Sequence, residues 1–231
     1  MAWMPFFYDY YYLILVVPAL LLSLLAQGVL RSTYRKMSSV RSLRGMTGAQ
    51  AAASVLVYYG INNVRIERVG GTLSDHYDPR TNVIRLSQPV FDGTSIASIG
   101  IACHEAGHAA QHSENYVPVK MRNAVLPITN VGSALGLPLA IVGYFMGFGP
   151  LITIGLLLFS FIVIFQLVTL PVEFNASARA IRVIGEMSML NPEEQAGAKK
   201  VLRAAAMTYV AALAVSIATL LRFILRFGAR R

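Results

Sequence analysis

The pentapeptide His104-Glu105-Ala106-Gly107-His108 decides how the rest of the chain is read. On a helix, positions i and i+4 share a face, so both imidazoles can aim a ring nitrogen at one divalent cation while Glu105 stays off it and holds a water. That spacing is the layout of a hydrolytic zinc site, with one Zn²⁺ per chain; without a metal, the same pair would be hydrogen-bonded core histidines. The flanks predict the helix. Thr94-Ser95 offers a cap, and Ile96, Ile99, Ala102, Cys103, Ala106 and Ala110 form an apolar stripe opposite the histidines. Cys103 adjoins His104, but neighbours on a helix point about 100° apart, so the thiol reads as buried packing.

Outward from this helix the chain turns apolar. Over 231 residues, 55% are hydrophobic and only 13% charged, with a mean hydropathy of +0.56, too apolar for a water-soluble enzyme of this size. A lone cysteine excludes an intramolecular disulfide. Residues 10–30 can cross a bilayer as a retained helix, led in by Trp3, Phe6, Phe7, Tyr8, Tyr11 and Tyr12 as an interfacial belt. Residues 124–147 and 151–170 form a second and third span joined by a Gly-Phe-Gly-Pro turn, which makes them a hairpin. Pro127, Asn130, Gly132, Ser133, Gly136 and Pro138 are expected on the packing face of the second span. A fourth apolar stretch, 201–221, follows Asn191-Pro192-Glu193-Glu194, a cap, an N1 proline and first-turn acids, so one long helix is expected to run to about Phe227.

The net charge of +9 does not point to nucleic acid, because the basic residues gather at the ends of apolar segments. Sixteen of the twenty Lys and Arg fall on one face of the three-span arrangement, which the positive-inside rule places in the cytoplasm. Arg222, Arg226, Arg230 and Arg231 oppose that count if the fourth segment spans, and fit it if the segment lies at the interface. The expectation is a mainly α multi-pass membrane protein with a small α+β zincin-like cytoplasmic domain. Its segments are an N-terminal transmembrane helix (1–30), the cytoplasmic subdomain (31–122), a transmembrane hairpin (123–171), and a glutamate-bearing helix followed by the long C-terminal helix (172–231).

Within 31–122, Thr47-x-x-Gln50 is a capping box opening a helix to about Tyr59. Residues 64–69 alternate as a strand, and 73–77 with 83–86 flank Asp78-Pro79-Arg80-Thr81-Asn82 as a hairpin. Residues 83–86 are expected to offer an edge on which an extended substrate pairs.

A catalytic zinc needs a third protein ligand, and His112, Glu114, Glu173 and Glu186 are the candidates. Topology favours Glu173. A chain that leaves the cytoplasmic face after His108 and crosses twice returns to that face just before Glu173, where a carboxylate without a partner is costly so near lipid. A salt bridge to Arg179 or Arg182 is the competing role.

The chain resembles the YugP-type neutral zinc metallopeptidases of bacterial membranes, and more distantly the integral-membrane gluzincins related to the HtpX protease. The stretches that carry the resemblance are Gly45-Met46-Thr47-Gly48-Ala49, Asp75-His76-Tyr77-Asp78-Pro79-Arg80, His104 to Ala109, Gln166 to Ser177, and Leu202 to Ala212. The resemblance implies a zinc peptidase of the bacterial plasma membrane with Glu173 as its glutamate ligand. In the wider gluzincin pattern an Asp often stands four residues after that Glu; here the position is Ser177, which leaves Asn175 or Ser177 to buttress the first histidine.

In this reading Glu105 is general base and acid in peptide hydrolysis, acting on peptide or membrane-protein substrates beside the lipid bilayer. His76, Tyr77 and Arg179 are candidates to stabilise the oxyanion, and His112 to support the ligands from behind. Two other readings compete. A catalytically inactive zinc protein serving as scaffold or assembly factor would have no use for Glu105, and a transporter would need ionisable groups that the three spans lack.

Overall fold

The computed structural model describes residues 9–228. Trp3, Phe6, Phe7 and Tyr8 of the aromatic lead-in, and Arg230 and Arg231, lie outside the described residues. The chain is mainly helical, with one small sheet. In order come α1 (Tyr12–Ser38), α2 (Gly48–Tyr58), β1 (Arg65–Val69), β2 (His76–Asp78), β3 (Val83–Ser87), α3 (Gln88–Phe91), α4 (Ile96–Ser113), α5 (Val117–Met146), α6 (Gly149–Glu186) and α7 (Pro192–Gly228). Four of them, α1, α5, α6 and α7, are long and apolar enough to cross a membrane. The chain divides into two compact units. One comprises Gly28–Val119 and Pro171–Ala206; the other comprises Met1–Gln27, Lys120–Leu170 and Met207–Arg231.

In the first unit, local chemistry starts each helix. Thr47 Oγ1 accepts from Gln50 N while Gln50 Oε1 accepts from Thr47 N, the reciprocal box expected for α2. Ser95 caps α4 by accepting from Ser98 N. Asn191 and Glu194 exchange the same pair of bonds at the start of α7, with Pro192 in its first turn. The apolar stripe of α4 is buried as expected: Ile99, Ala102, Cys103, Ala106 and Ala110 have no exposed surface. They pack with Val55 of α2, Ile84 and Leu86 of β3, and Val183 and Ile184 of α6 in one core. Burial pushes the Cys103 thiol well above its ordinary pKa, so it packs as a neutral group.

The sheet corrects one expectation. Its order is β1-β3-β2, with β1 parallel and β2 antiparallel to β3. Residues 83–86 therefore lie in the central strand, paired on both sides, and offer no free edge; the outer strands are β1 and β2. The reason lies in burial. Val83, Ile84 and Leu86 are wholly buried, and a strand apolar on both faces belongs in the middle. The β2–β3 turn is held by Asp78, whose carboxylate accepts from Arg80 N and Thr81 Oγ1. The Thr81 hydroxyl, the Arg80 amide and the Arg85 guanidinium together hold its pKa down to about 2.

In the second unit α5 and α6 form the expected hairpin, turning at Gly147, whose φ of +66° suits glycine. The packing face of α5 differs from the expected one. Gly132 and Gly136 are buried, but Pro127, Asn130, Ser133 and Pro138 are exposed. Close approach selects the glycines: a Cβ on Gly132 would lie 2.2 Å from the Leu158 carbonyl oxygen. Helix α6 continues without a break through Pro171 to Glu186. Its 38 residues extend about 57 Å at the α-helical rise. That is roughly twice the ~30 Å of a hydrocarbon core, longer than one crossing needs.

Candidate metal centre

Helix α4 stacks His104 and His108 one turn apart, with ring centroids 4.7 Å apart and planes at 84°. Their Nε2 atoms face each other at 3.1 Å. The C-terminal part of α6 supplies Glu173, whose Oε2 lies 3.3 Å from His104 Nε2 and 3.6 Å from His108 Nε2. All three side chains are largely buried. Among the described residues they form the group of His, Cys, Asp and Glu able to share one ion. The geometry fits zinc, since four ligands at about 2.05 Å in a tetrahedron stand about 3.3 Å from one another.

The approach of α6 to α4 rests on Gly107, where a Cβ would sit 2.8 Å from the Ala176 carbonyl oxygen. The outer faces of both imidazoles are engaged. His104 Nδ1 lies 3.1 Å from Ser177 Oγ, and His108 Nδ1 lies 3.0 Å from Gln111 Oε1. With the proton on Nδ1 in each ring, both Nε2 lone pairs and the Glu173 carboxylate converge on one point. Three lone pairs so placed repel one another unless a cation sits between them. Glu105, between the histidines and 8% exposed, contributes its charge. Burial pushes the His108 pKa down, but the Glu173 hydrogen bond and the charges of Glu105 and Glu173 outweigh it, leaving His108 above its ordinary value.

The family described as "Putative neutral zinc metallopeptidase" matches residues 12–228. The chain belongs to this family. It is also 45% identical over 216 residues to a protein of Bacillus subtilis (strain 168) named "Putative membrane protease YugP", covering 94% of this chain and 96% of the relative. No solved structure matches.

In this member of the zinc metallopeptidase family, the remaining candidate residues are engaged away from the three converging ligands. Glu114 pairs with Arg179 at 2.7 Å, and Glu186 accepts from the Tyr58 hydroxyl. His112 sits one turn beyond His108, its Nδ1 3.4 Å from Tyr77 Oη. Tyr77 donates to Asn82 Oδ1 at 3.0 Å, and burial, then the charge of Asp78, raises its pKa. His76 is exposed on β2, its Nδ1 2.8 Å from the Ser74 carbonyl. Arg179 donates from Nε to Asn175 Oδ1 at 2.7 Å and lies over the rings of Tyr59 and Tyr116. Of the two residues considered as a buttress for His104, Ser177 touches it, while Asn175 meets Gln111. Gln111 escaped the sequence reading. Its only signal is a polar residue on an otherwise alanine-rich turn, three positions after His108.

Proposed function

We propose that this chain is a membrane-integrated zinc endopeptidase. His104, His108 and Glu173 hold one Zn²⁺, and the site works at the cytoplasmic face of a bacterial plasma membrane on peptide or membrane-protein substrates. The observation that carries the reading is the triangle of 3.1, 3.3 and 3.6 Å edges with a carboxylate, Glu105, between two of its corners in sequence. Membership of the family and the name of the relative support proteolysis; the distribution of Lys and Arg supports the cytoplasmic face. The segments proposed from sequence go with it: a first membrane helix to residue 30, a zincin-like cytoplasmic region over 31–122, a membrane hairpin over 123–171, and the glutamate-bearing and C-terminal helices beyond.

Bound zinc would supply Lewis acidity toward a water and a peptide carbonyl. The chain's own residues do the rest. Glu105 takes the proton from the attacking water and returns it to the leaving amine, as a gluzincin base does. Ser177 and Gln111 hold the imidazoles with their Nε2 lone pairs inward. Of the two outer strands, β2 is the one whose free edge is assigned to an extended substrate backbone, because its Tyr77 reaches His112 on the histidine helix. His76 and Tyr77 lie on that strand and remain the side chains proposed to reach the developing oxyanion.

The test is Glu105→Gln in detergent-purified protein. Zinc content stays at one per chain while cleavage of casein falls by about two orders of magnitude or more, the scale of general-base catalysis. Proteolysis that persists in this variant overturns the assignment. Glu173→Gln separately loses the metal.

A further inference from the structure

The fully buried Gln111 amide touches both helices of the candidate metal centre, and every polar atom it carries is used. Its Oε1 faces His108 Nδ1 at 3.0 Å. Its Nε2 donates to the Val172 carbonyl at 2.8 Å and to Asn175 Oδ1 at 3.0 Å. An amide can be turned over to swap its oxygen and nitrogen, so its orientation must come from its neighbours. Here the neighbours fix it. Arg179 fixes the first of them, because a guanidinium donates and never accepts. Arg179 Nε points at Asn175, so the Asn175 atom there is the oxygen. An oxygen on Asn175 requires the Gln111 nitrogen opposite it, and the Val172 carbonyl requires the same nitrogen. Gln111 Oε1 is then left against His108 Nδ1, which must carry a hydrogen. His108 Nε2 is consequently the bare lone pair, on the side of Glu173.

We propose that Gln111 is a positioning residue which sets the tautomer of His108 and, through Val172, the placement of Glu173. Its orientation is imposed by the Val172 carbonyl and by Asn175, whose own oxygen is fixed by Arg179. The inference rests on the metal-centre reading and deepens it: one amide governs two of the three proposed ligands. The arginine that starts the series is itself anchored, its Nη2 2.7 Å from Glu114 Oε2 and its face over Tyr59 and Tyr116. Val172 is the residue immediately before Glu173, so a bond to its carbonyl ties the carboxylate-bearing turn of α6 to α4. Loss of the amide frees both: His108 populates its other tautomer, which presents an N–H to the metal, and Glu173 loses its tether. A buttress acting in this way is worth about 10–100-fold in metal affinity.

The experiment uses the full-length chain in detergent, with two readouts: zinc affinity by chelator competition, and the ¹⁵N spectrum of the histidine rings in metal-stripped protein above their titration range. Gln111→Met, close to isosteric but unable to hydrogen-bond, is expected to weaken zinc by about 10–100-fold and to give His108 as a mixture of tautomers. Gln111→Leu, of similar size and equally unable to hydrogen-bond, is expected to mix the same tautomers. This second variant carries the test by itself if the first does not fold. Wild-type zinc affinity in Gln111→Met, or an unmixed His108 tautomer in Gln111→Leu, overturns the inference. His104→Ala separates this from the underlying reading. If it binds zinc as the wild type does, the metal centre is wrongly placed. If it loses zinc while Gln111→Met keeps it, only the role of Gln111 fails.

Discussion

Asp9 and Arg222, 213 residues apart in sequence, form an ion pair at 3.1 Å. Arg226 joins the same carboxylate, while Asp9 Oδ1 accepts from Tyr12 N at 2.8 Å at the start of α1. The beginning of α1 and the end of α7 therefore meet on one side of the second unit. This bears on the fourth apolar segment, whose terminal arginines oppose the positive-inside count. The shared carboxylate ties the end of α7 to the start of α1, so if α1 crosses, α7 crosses with it and its terminal arginines are exceptions to the count. A phosphatase that works only outside the cytoplasm should be active when fused after Arg231 and inactive when inserted at Gly60. The same outcome at both positions would place α7 at the interface instead, and activity at Gly60 alone would reverse the orientation. Asp9→Asn, which removes the negative charge that the two guanidiniums share, should lower the free energy of unfolding in detergent by roughly 1.5–3 kcal/mol, the scale of hydrogen bonds to a charged group.

At Gly107, α4 approaches α6 so closely that an added Cβ would meet its backbone. Replacing a helical glycine by alanine ordinarily stabilises by about 0.5–1 kcal/mol, but here the new methyl meets the Ala176 carbonyl at 2.8 Å. Overpacking against rigid backbone costs about 1–3 kcal/mol, so the clash wins. Gly107→Ala should lower the thermal midpoint of the metal-free protein, and Gly107→Val should lower it further. Because α6 must retreat, carrying Glu173 with it, both should also weaken zinc binding in chelator competition. A Gly107→Ala protein of raised midpoint and unchanged zinc affinity would show that the helices have room to spare.

What was legible in the sequence was local or forced by topology. His104 and His108 could be read because helical spacing alone puts them on one face. The α2 and α4 caps were read from side chains within three residues of the amides they satisfy. Glu173 is far from His108 in sequence, but the α5–α6 hairpin leaves the returning chain few places to go. Gln111 was missed for the opposite reason. Its partners Val172 and Asn175 lie more than sixty residues away, and a single glutamine carries no periodic pattern. The place of β3 in its sheet was missed because β1 pairs with it in parallel, past β2, and long-range pairing leaves no mark on strand propensity. On α5 the exposed Asn130 and Ser133 looked like interhelical glue, but backbone proximity at Gly132 and Gly136 sets the packing face instead.

Ser177 stands where a charged acceptor would bind the His104 Nδ1 proton more strongly. A neutral hydroxyl at 3.1 Å orients the ring but adds little to its basicity, and hydrogen bonds to ionised acceptors are roughly twice as strong as neutral ones. Ser177→Ala should therefore cost about 10-fold in zinc affinity, and Ser177→Asp should bind zinc more tightly than the wild type. The pair separates orientation from charge. If Ser177→Asp and Ser177→Ala weaken zinc alike, the hydroxyl serves α6 rather than His104.

The centre should also respond to pH with a definite sign. In the metal-free protein burial opposes the charge on His108, yet the Glu173 hydrogen bond and the Glu105 and Glu173 charges raise its pKa above the ordinary imidazole value. A raised folded-state pKa stabilises the metal-free fold in full below the unfolded value of about 6.5, and that increment disappears as pH rises through the folded value. Zinc requires the opposite, a neutral imidazole, so protons compete with it. Lowering the pH from about 8 to about 6 should weaken zinc binding, beginning above the pH at which an unperturbed histidine titrates. The two effects act together on the gap in thermal midpoint between zinc-loaded and stripped protein, which should narrow as pH falls. Glu173→Gln removes the largest favourable contact of the imidazolium, and the stripped variant should show less gain in stability on acidification than the stripped wild type. A gap that stays constant between those two pH values would mean that zinc does not bind through His108.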